Sequence, residues 1–123
     1  MKGSRVLILG LTFKENVPDI RNSKVIDIVR ELREYEVEAV VCDPLADPAE
    51  ARHEYGLDLV TPEGAGDFDA IVWAVAHEAF KAYTPARLKR ICCNGNGKGV
   101  VMDVKSTLRR DQVEAEGMLY WRL

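Results

Sequence analysis

The fold class this chain predicts is α/β: a doubly wound sheet of about six mostly parallel strands, in a single domain spanning residues 1–123. Three observations predict it. Short, strongly apolar runs recur along the chain, amphipathic helical patterns separate them, and no repeat, low-complexity tract or Pro/Ser-rich linker divides it. Strands that alternate with helices pair in parallel through right-handed crossovers.

"RVLIL" at 5–9 is apolar after one charge, the pattern of a strand buried on both faces. Val25, Ile28, Val29 and Leu32 then follow the i, i+3, i+4, i+7 spacing of an amphipathic helix, with Asn22 or Ser23 as its N-cap. "EAVVC" at 38–42 is a second buried strand, ended by the turn "DPLADP". A short helix over 48–55 follows, with Gly56 as C-cap. "LDLV" at 57–60 reads as a short third strand and "DAIVWAV" at 69–75 as a long fourth. Helical patterns occupy 77–82 and 85–93, and the turn "NGNGKG" leads into a fifth strand, "VVMDV" at 100–104. The terminal "MLYWRL" reads as a sixth, edge strand. The architecture is Rossmann-like, and in such sheets ligands sit beyond the carboxyl ends of the strands, where strand order reverses.

Composition excludes several classes. The chain has 123 residues, 47% hydrophobic and 30% charged, as in an ordinary globular domain. No apolar run approaches the roughly 20 residues needed to span a bilayer, and no signal-peptide pattern opens the chain. A formal charge of −3 gives no general attraction to nucleic acid. Cys42, Cys92 and Cys93 form no disulfide framework and have no metal-ligand spacing; they read as reduced thiols of a cytoplasmic protein. His53 and His77 are too isolated to indicate a zinc site.

The carboxyl-end rule selects a short list: Phe13, Lys14, Asn16, Asp19 and Arg21 after the first strand, Asp43 after the second, His77 after the fourth, Asp103 and Lys105 at the fifth. Lys14, Lys105 and Arg21 can neutralise a phosphate or pyrophosphate, so an anionic ligand is implied. Simpler roles compete. Phe13 can cover the helix–sheet seam, Asp19 and Arg21 can pair to hold the turn, and Asp43 opens an Asp-Pro turn. His77 can cap the following helix. Lys14 has no structural task of this kind. No nucleophile has a base placed beside it and no acid pair is arranged for proton transfer, so no catalytic residue is assigned. The lone Gly10 is not the G-x-G-x-x-G fingerprint of a dinucleotide site.

The stretch "VLILGLTFKENVPDIRNSKVIDIVREL" resembles the opening of the C-terminal domain of the UDP-glucose/GDP-mannose dehydrogenases. Gly10, Phe13, Lys14, Asp19, Arg21 and Ser23 fit the family pattern G-x-x-F-K-x-x-x-x-D-x-R-x-S. "DAIVWAVAH", "VVMDVKS" and "YWRL" also fall at family positions, so the resemblance covers nearly the whole chain. The "FKENxPDIRN" form is most similar to the branch acting on UDP-N-acetylhexosamines for bacterial surface polysaccharides.

The resemblance implies an NAD-dependent enzyme that oxidises the C6 alcohol of a nucleotide sugar to a carboxylate in two hydride transfers. NAD would be bound mainly by an N-terminal domain, and a catalytic cysteine would stand in a central helical segment, both outside this chain. The full enzyme would be a homo-oligomer. Phe13, Lys14 and Lys105 match positions that contact the UDP-sugar, and Arg21 an arginine that approaches NAD across the cleft. At the position of Lys105 the family often has arginine. The isolated chain would then be a non-catalytic half-site. Two other readings are an assembly domain, using the aromatic surface of "MLYWRL", and a phosphoacceptor receiver domain. The receiver reading conflicts with a first strand ending in "LG" rather than paired acids.

Overall fold

The computed structural model describes residues 4–12, 14–62, 68–92 and 99–122. Phe13, Cys93, most of "NGNGKG" and Leu123 therefore lie outside the described residues.

The first apolar run forms β1 (Arg5–Leu9), followed by α1 (Val25–Glu34), β2 (Glu38–Cys42) and α2 (Pro48–Tyr55). Then come β3 (Ala70–Trp73), a 3-10 helix (Glu78–Ala82), α3 (Pro85–Ile91), β4 (Val100–Asp103), α4 (Arg110–Ala115) and β5 (Leu119–Arg122). The sheet has five strands in the order β2-β1-β3-β4-β5, and all four pairings are parallel. The expected α/β, Rossmann-like doubly wound sheet is present, with "MLYWRL" supplying an edge strand as expected.

The strand count differs from six. Residues 57–60 do alternate, with Leu57 buried and Asp58 exposed. Yet they run beside β2 through the Val60 N–H to Val41 carbonyl bond (3.0 Å) without becoming a strand. An unexpected element is α4, whose only buried residue is Val113.

Local chemistry explains the boundaries. At α2, Asp47 Oδ1 accepts the Ala49 N–H at 2.9 Å, Pro48 opens the helix, and Gly56 closes it in the left-handed region at φ 65°. At α1 the cap is supplied by Ser23, one of the two expected N-caps, and Lys24 after it already has helical backbone, at φ −73° and ψ −21°. The Ser23 hydroxyl accepts the Val25 N–H and donates to the Leu11 carbonyl at 2.5 Å.

The two faces of the sheet build two cores. Val6, Ile8, Ala39 and Val41 pack with Val25, Ile26 and Val29 of α1. Leu7, Leu9, Ile71, Trp73, Val101 and Tyr120 pack with Leu88 and Ile91 of α3 and Val113 of α4. The register sets Cys42, Leu9, Trp73, Asp103 and Arg122 side by side, so every loop leaves the carboxyl edge at one level. β1 crosses to β2 on one side and β3 to β4 on the other. The crevice where ligands bind in such sheets therefore lies between the loops after β1 and β3.

Candidate functional site

The loop after β1 begins with a position that only glycine fills. Gly10 has φ 108°, and a Cβ there would stand 2.5 Å from Val75 Cβ and 2.9 Å from the Val75 nitrogen. The chain leaving β3 thus presses directly on the chain leaving β1. Val75 occupies the space a fingerprint glycine leaves open, so this turn is not shaped to receive a pyrophosphate on bare backbone.

Beyond Gly10 the loop is anchored by a buried polar network that pattern reading of single residues did not reveal. Asp43 Oδ2 accepts the Leu11 N–H (2.7 Å), the Thr12 N–H (3.1 Å) and His77 Nε2–H (2.9 Å). Its Oδ1 accepts from Leu45 (2.9 Å) and Ala46 (3.3 Å), forming the expected Asp-Pro turn. His77 Nδ1 accepts the Asn16 N–H at 2.9 Å, which fixes the imidazole as the tautomer protonated at Nε2. The Thr12 hydroxyl, 3.0 Å from His77 Nε2, donates to the Lys14 carbonyl. Asn16, in the left-handed region at φ 62°, accepts the Glu78 N–H through its side chain at 2.7 Å.

Burial works to raise the Asp43 pKa, but the His77 N–H and the backbone N–H groups of Leu11 and Leu45 overcome it and hold the carboxyl below its ordinary value. His77 stands at the N-cap position of the 3-10 helix, yet its ring makes no cap bond there. Neither alternative, helix cap or ligand contact, describes it: His77, Asp43, Asn16 and Thr12 are the scaffold of the loop.

The same scaffold leaves the Lys14 side chain exposed at the crevice. There it lines a cleft of about 170 Å³ together with Lys24 and Lys105, on a floor that includes Val25, Ile28, Ala74, Val75 and Val104. Two of the three residues expected to bind substrate are therefore brought together; the third, Phe13, lies outside the described residues.

Arg21 is elsewhere. It lines a second cleft with Asp19, Asp47 and Glu50 and forms the expected local pair with Asp19, at 3.0 Å and 3.1 Å. This pairing raises the Arg21 pKa and lowers that of Asp19. Asp103 faces inward: it is fully buried and accepts from the Tyr120 hydroxyl and the Leu108 N–H, both at 2.7 Å. It ties β4 to β5 and is not open to a ligand. Cys42 and Cys92 are both buried. Among the described residues no helix is long and apolar enough to cross a membrane.

Residues 7–110 match the family model described as the UDP-glucose/GDP-mannose dehydrogenase family, UDP binding domain. The UDP-N-acetyl-D-glucosamine 6-dehydrogenase of Pseudomonas aeruginosa is 44% identical over 110 residues, which cover 89% of this chain and 25% of that protein. Protein CapL of Staphylococcus aureus is 39% identical over 127 residues, covering 100% of this chain and 28% of that protein. The chain thus spans about a quarter of the length of the curated relatives it matches. Among solved structures, an NDP-N-acetyl-D-galactosaminuronic acid dehydrogenase from Methanosarcina mazei superposes with a TM-score of 0.77 at 23% identity, over 98% of this chain and 24% of that one. A UDP-D-ManNAc dehydrogenase from Pyrococcus horikoshii gives 0.72 at 22% identity, over 97% and 25%. At these identities the structural likenesses establish the fold.

Proposed function

The chain belongs to the UDP-glucose/GDP-mannose dehydrogenase family, as its UDP binding domain, and from that premise we propose that it forms the nucleotide-sugar wall of an NAD-dependent UDP-sugar 6-dehydrogenase. The enzyme would oxidise the C6 alcohol to a carboxylate in two steps, in the cytoplasm, for surface polysaccharide synthesis. The observation that carries this reading is the convergence of Lys14 and Lys105, from the loops after β1 and β4, on one cleft at the carboxyl edge of the sheet. In this reading Lys14 and Lys105 hold the phosphate-bearing part of a UDP-sugar, with Phe13 beside them, and Arg21 reaches the cofactor side.

The residues present do not fit a principal NAD site. The single-glycine turn is filled by Val75, and the cleft of Arg21 is lined by three carboxylates. In this proposal NAD and the nucleophilic cysteine belong to parts of the enzyme outside this chain, and the chain alone is a half-site without turnover. Calorimetric titration with UDP tests it. Lys14→Ala and Lys105→Ala are each expected to weaken binding about tenfold, as for loss of one charge-assisted hydrogen bond. Unchanged binding in both, or NADH production by the chain alone with a UDP-sugar, overturns it.

A second reading, assembly, is favoured by one observation. Met102, Leu119 and Trp121 share one face of β4 and β5 and are 37%, 45% and 60% exposed. If this face joins two copies of the chain, sedimentation equilibrium shows a dimer that Trp121→Glu dissociates. A monomer at all concentrations excludes that reading.

A further inference from the structure

We infer that Lys24 is a third cationic contact in the lysine cleft and that it engages the diphosphate of the bound nucleotide. The inference rests on the nucleotide-binding reading above and extends it to a residue on a third element, the start of α1.

Three observations meet at Lys24. The first is position: it lines the same cleft as Lys14 and Lys105, where among the described residues Glu15 is the one acidic lining residue. The second is availability. Among the described residues no hydrogen bond or ion pair engages the ammonium of Lys14, Lys24 or Lys105, whereas Arg21, Arg52, Lys81, Arg109 and Arg110 all have carboxylate partners. The third is local cost. Lys24, with helical backbone at φ −73° and ψ −21°, opens the first turn of α1 just after the capping Ser23. A cation there opposes the positive end of the helix dipole. Ser23 performs the capping, so the Lys24 side chain has no capping task. A charge–dipole conflict of this kind is expected at functional positions.

An anion in the cleft reverses the sign of these effects. It meets three ammonium groups from three separate elements, over a floor that includes Val25, Ile28, Ala74, Val75 and Val104. Such a triad matches a diphosphate, with its charge spread over two linked phosphates, better than a single carboxylate or a neutral sugar.

The test uses the chain itself with UDP, inorganic pyrophosphate and uridine as probes. Lys24→Ala is expected to weaken UDP and pyrophosphate by the same factor, about tenfold, and to leave any uridine binding unchanged. Lys24→Arg is expected to restore both. Without ligand, Lys24→Ala is expected to raise the melting temperature by on the order of 2 °C, because the unfavourable charge–dipole interaction is gone; a lysine with a structural role would lower it. If Lys24→Ala binds UDP as tightly as the parent while Lys14→Ala does not, the Lys24 contact is refuted and the nucleotide-binding reading stands. If the parent chain binds neither UDP nor pyrophosphate, both fall.

Discussion

His77 Nε2 lies 2.9 Å from Asp43 Oδ2, and neither side chain reaches solvent. The two residues follow β3 and β2, and the chain leaving β1 passes between them, held by both. Asp43 fixes the backbone of Leu11 and Thr12, and His77 fixes that of Asn16. Lys14 sits between these anchors, so its position at the cleft is set by a pair that is itself buried.

Removing the carboxylate should therefore unseat the loop. Asp43→Ala strands the buried N–H groups of Leu11, Thr12 and His77 together with those of the turn. The expected loss in urea unfolding is about 3 kcal/mol or more. A loss below about 1 kcal/mol would contradict the anchoring role.

Acid should reach the same pair. The folded-state pKa of Asp43 lies below its ordinary value of 3.8, so its ionised form stabilises the fold. That contribution is complete above roughly pH 5 and is lost as the pH falls through the unfolded carboxylate range toward the lower folded-state value. Stability measured between about pH 5 and 2 should fall less steeply in Asp43→Asn than in the parent chain. Parallel curves would show that Asp43 is not part of the acid response.

At the other end of the pH range the reporter is Tyr120. Burial first, and then the bond to Asp103, push its phenol up from 10.0 to about 12. The raised folded-state value means that the neutral hydroxyl stabilises the fold fully below about pH 10 and that this is lost as the pH rises through about 12. Ultraviolet titration of the parent chain against Tyr120→Phe should assign a transition near pH 12 to this residue. A Tyr120 transition at the ordinary phenol value of about 10 would be incompatible with the Asp103 contact.

Gly10→Ala is expected to be among the most damaging single-methyl additions in the chain. The new Cβ would meet Val75 Cβ at 2.5 Å with the backbone at φ 108°, so both strain and collision oppose it. A loss of several kcal/mol or failure to fold is expected, read from thermal melting. A near-parental melting temperature would mean the β1–β3 exit is looser than described.

Much of the fold was legible because its signals are local. "RVLIL" and "EAVVC" announce buried strands by being apolar after one charge, and Asp47-Pro48 with Gly56 bounds α2 at both ends. α4 gave no such signal, since one buried valine on a six-residue helix produces no periodicity. Residues 57–60 misled because alternation records which side chains are buried and not whether the backbone joins a ladder. At the site, Lys14 and Lys105 were legible as cations after strands. The network of Thr12, Asp43 and His77 was not, because its bonds join residues far apart in sequence. Lys24 was hidden for a different reason: at the start of an amphipathic helix a lysine reads as part of the solvated face.

The measurement closest to the central claim is a UDP titration of the isotope-labelled chain followed by amide chemical shifts. The account predicts changes concentrated at Thr12, Lys14, Lys24, Val104 and Lys105, around the lysine cleft, with the larger cleft beside α2, lined by Pro48, Arg52 and Asp58, unaffected. Shifts centred on the α2 cleft, or no shift at saturating UDP, would contradict it.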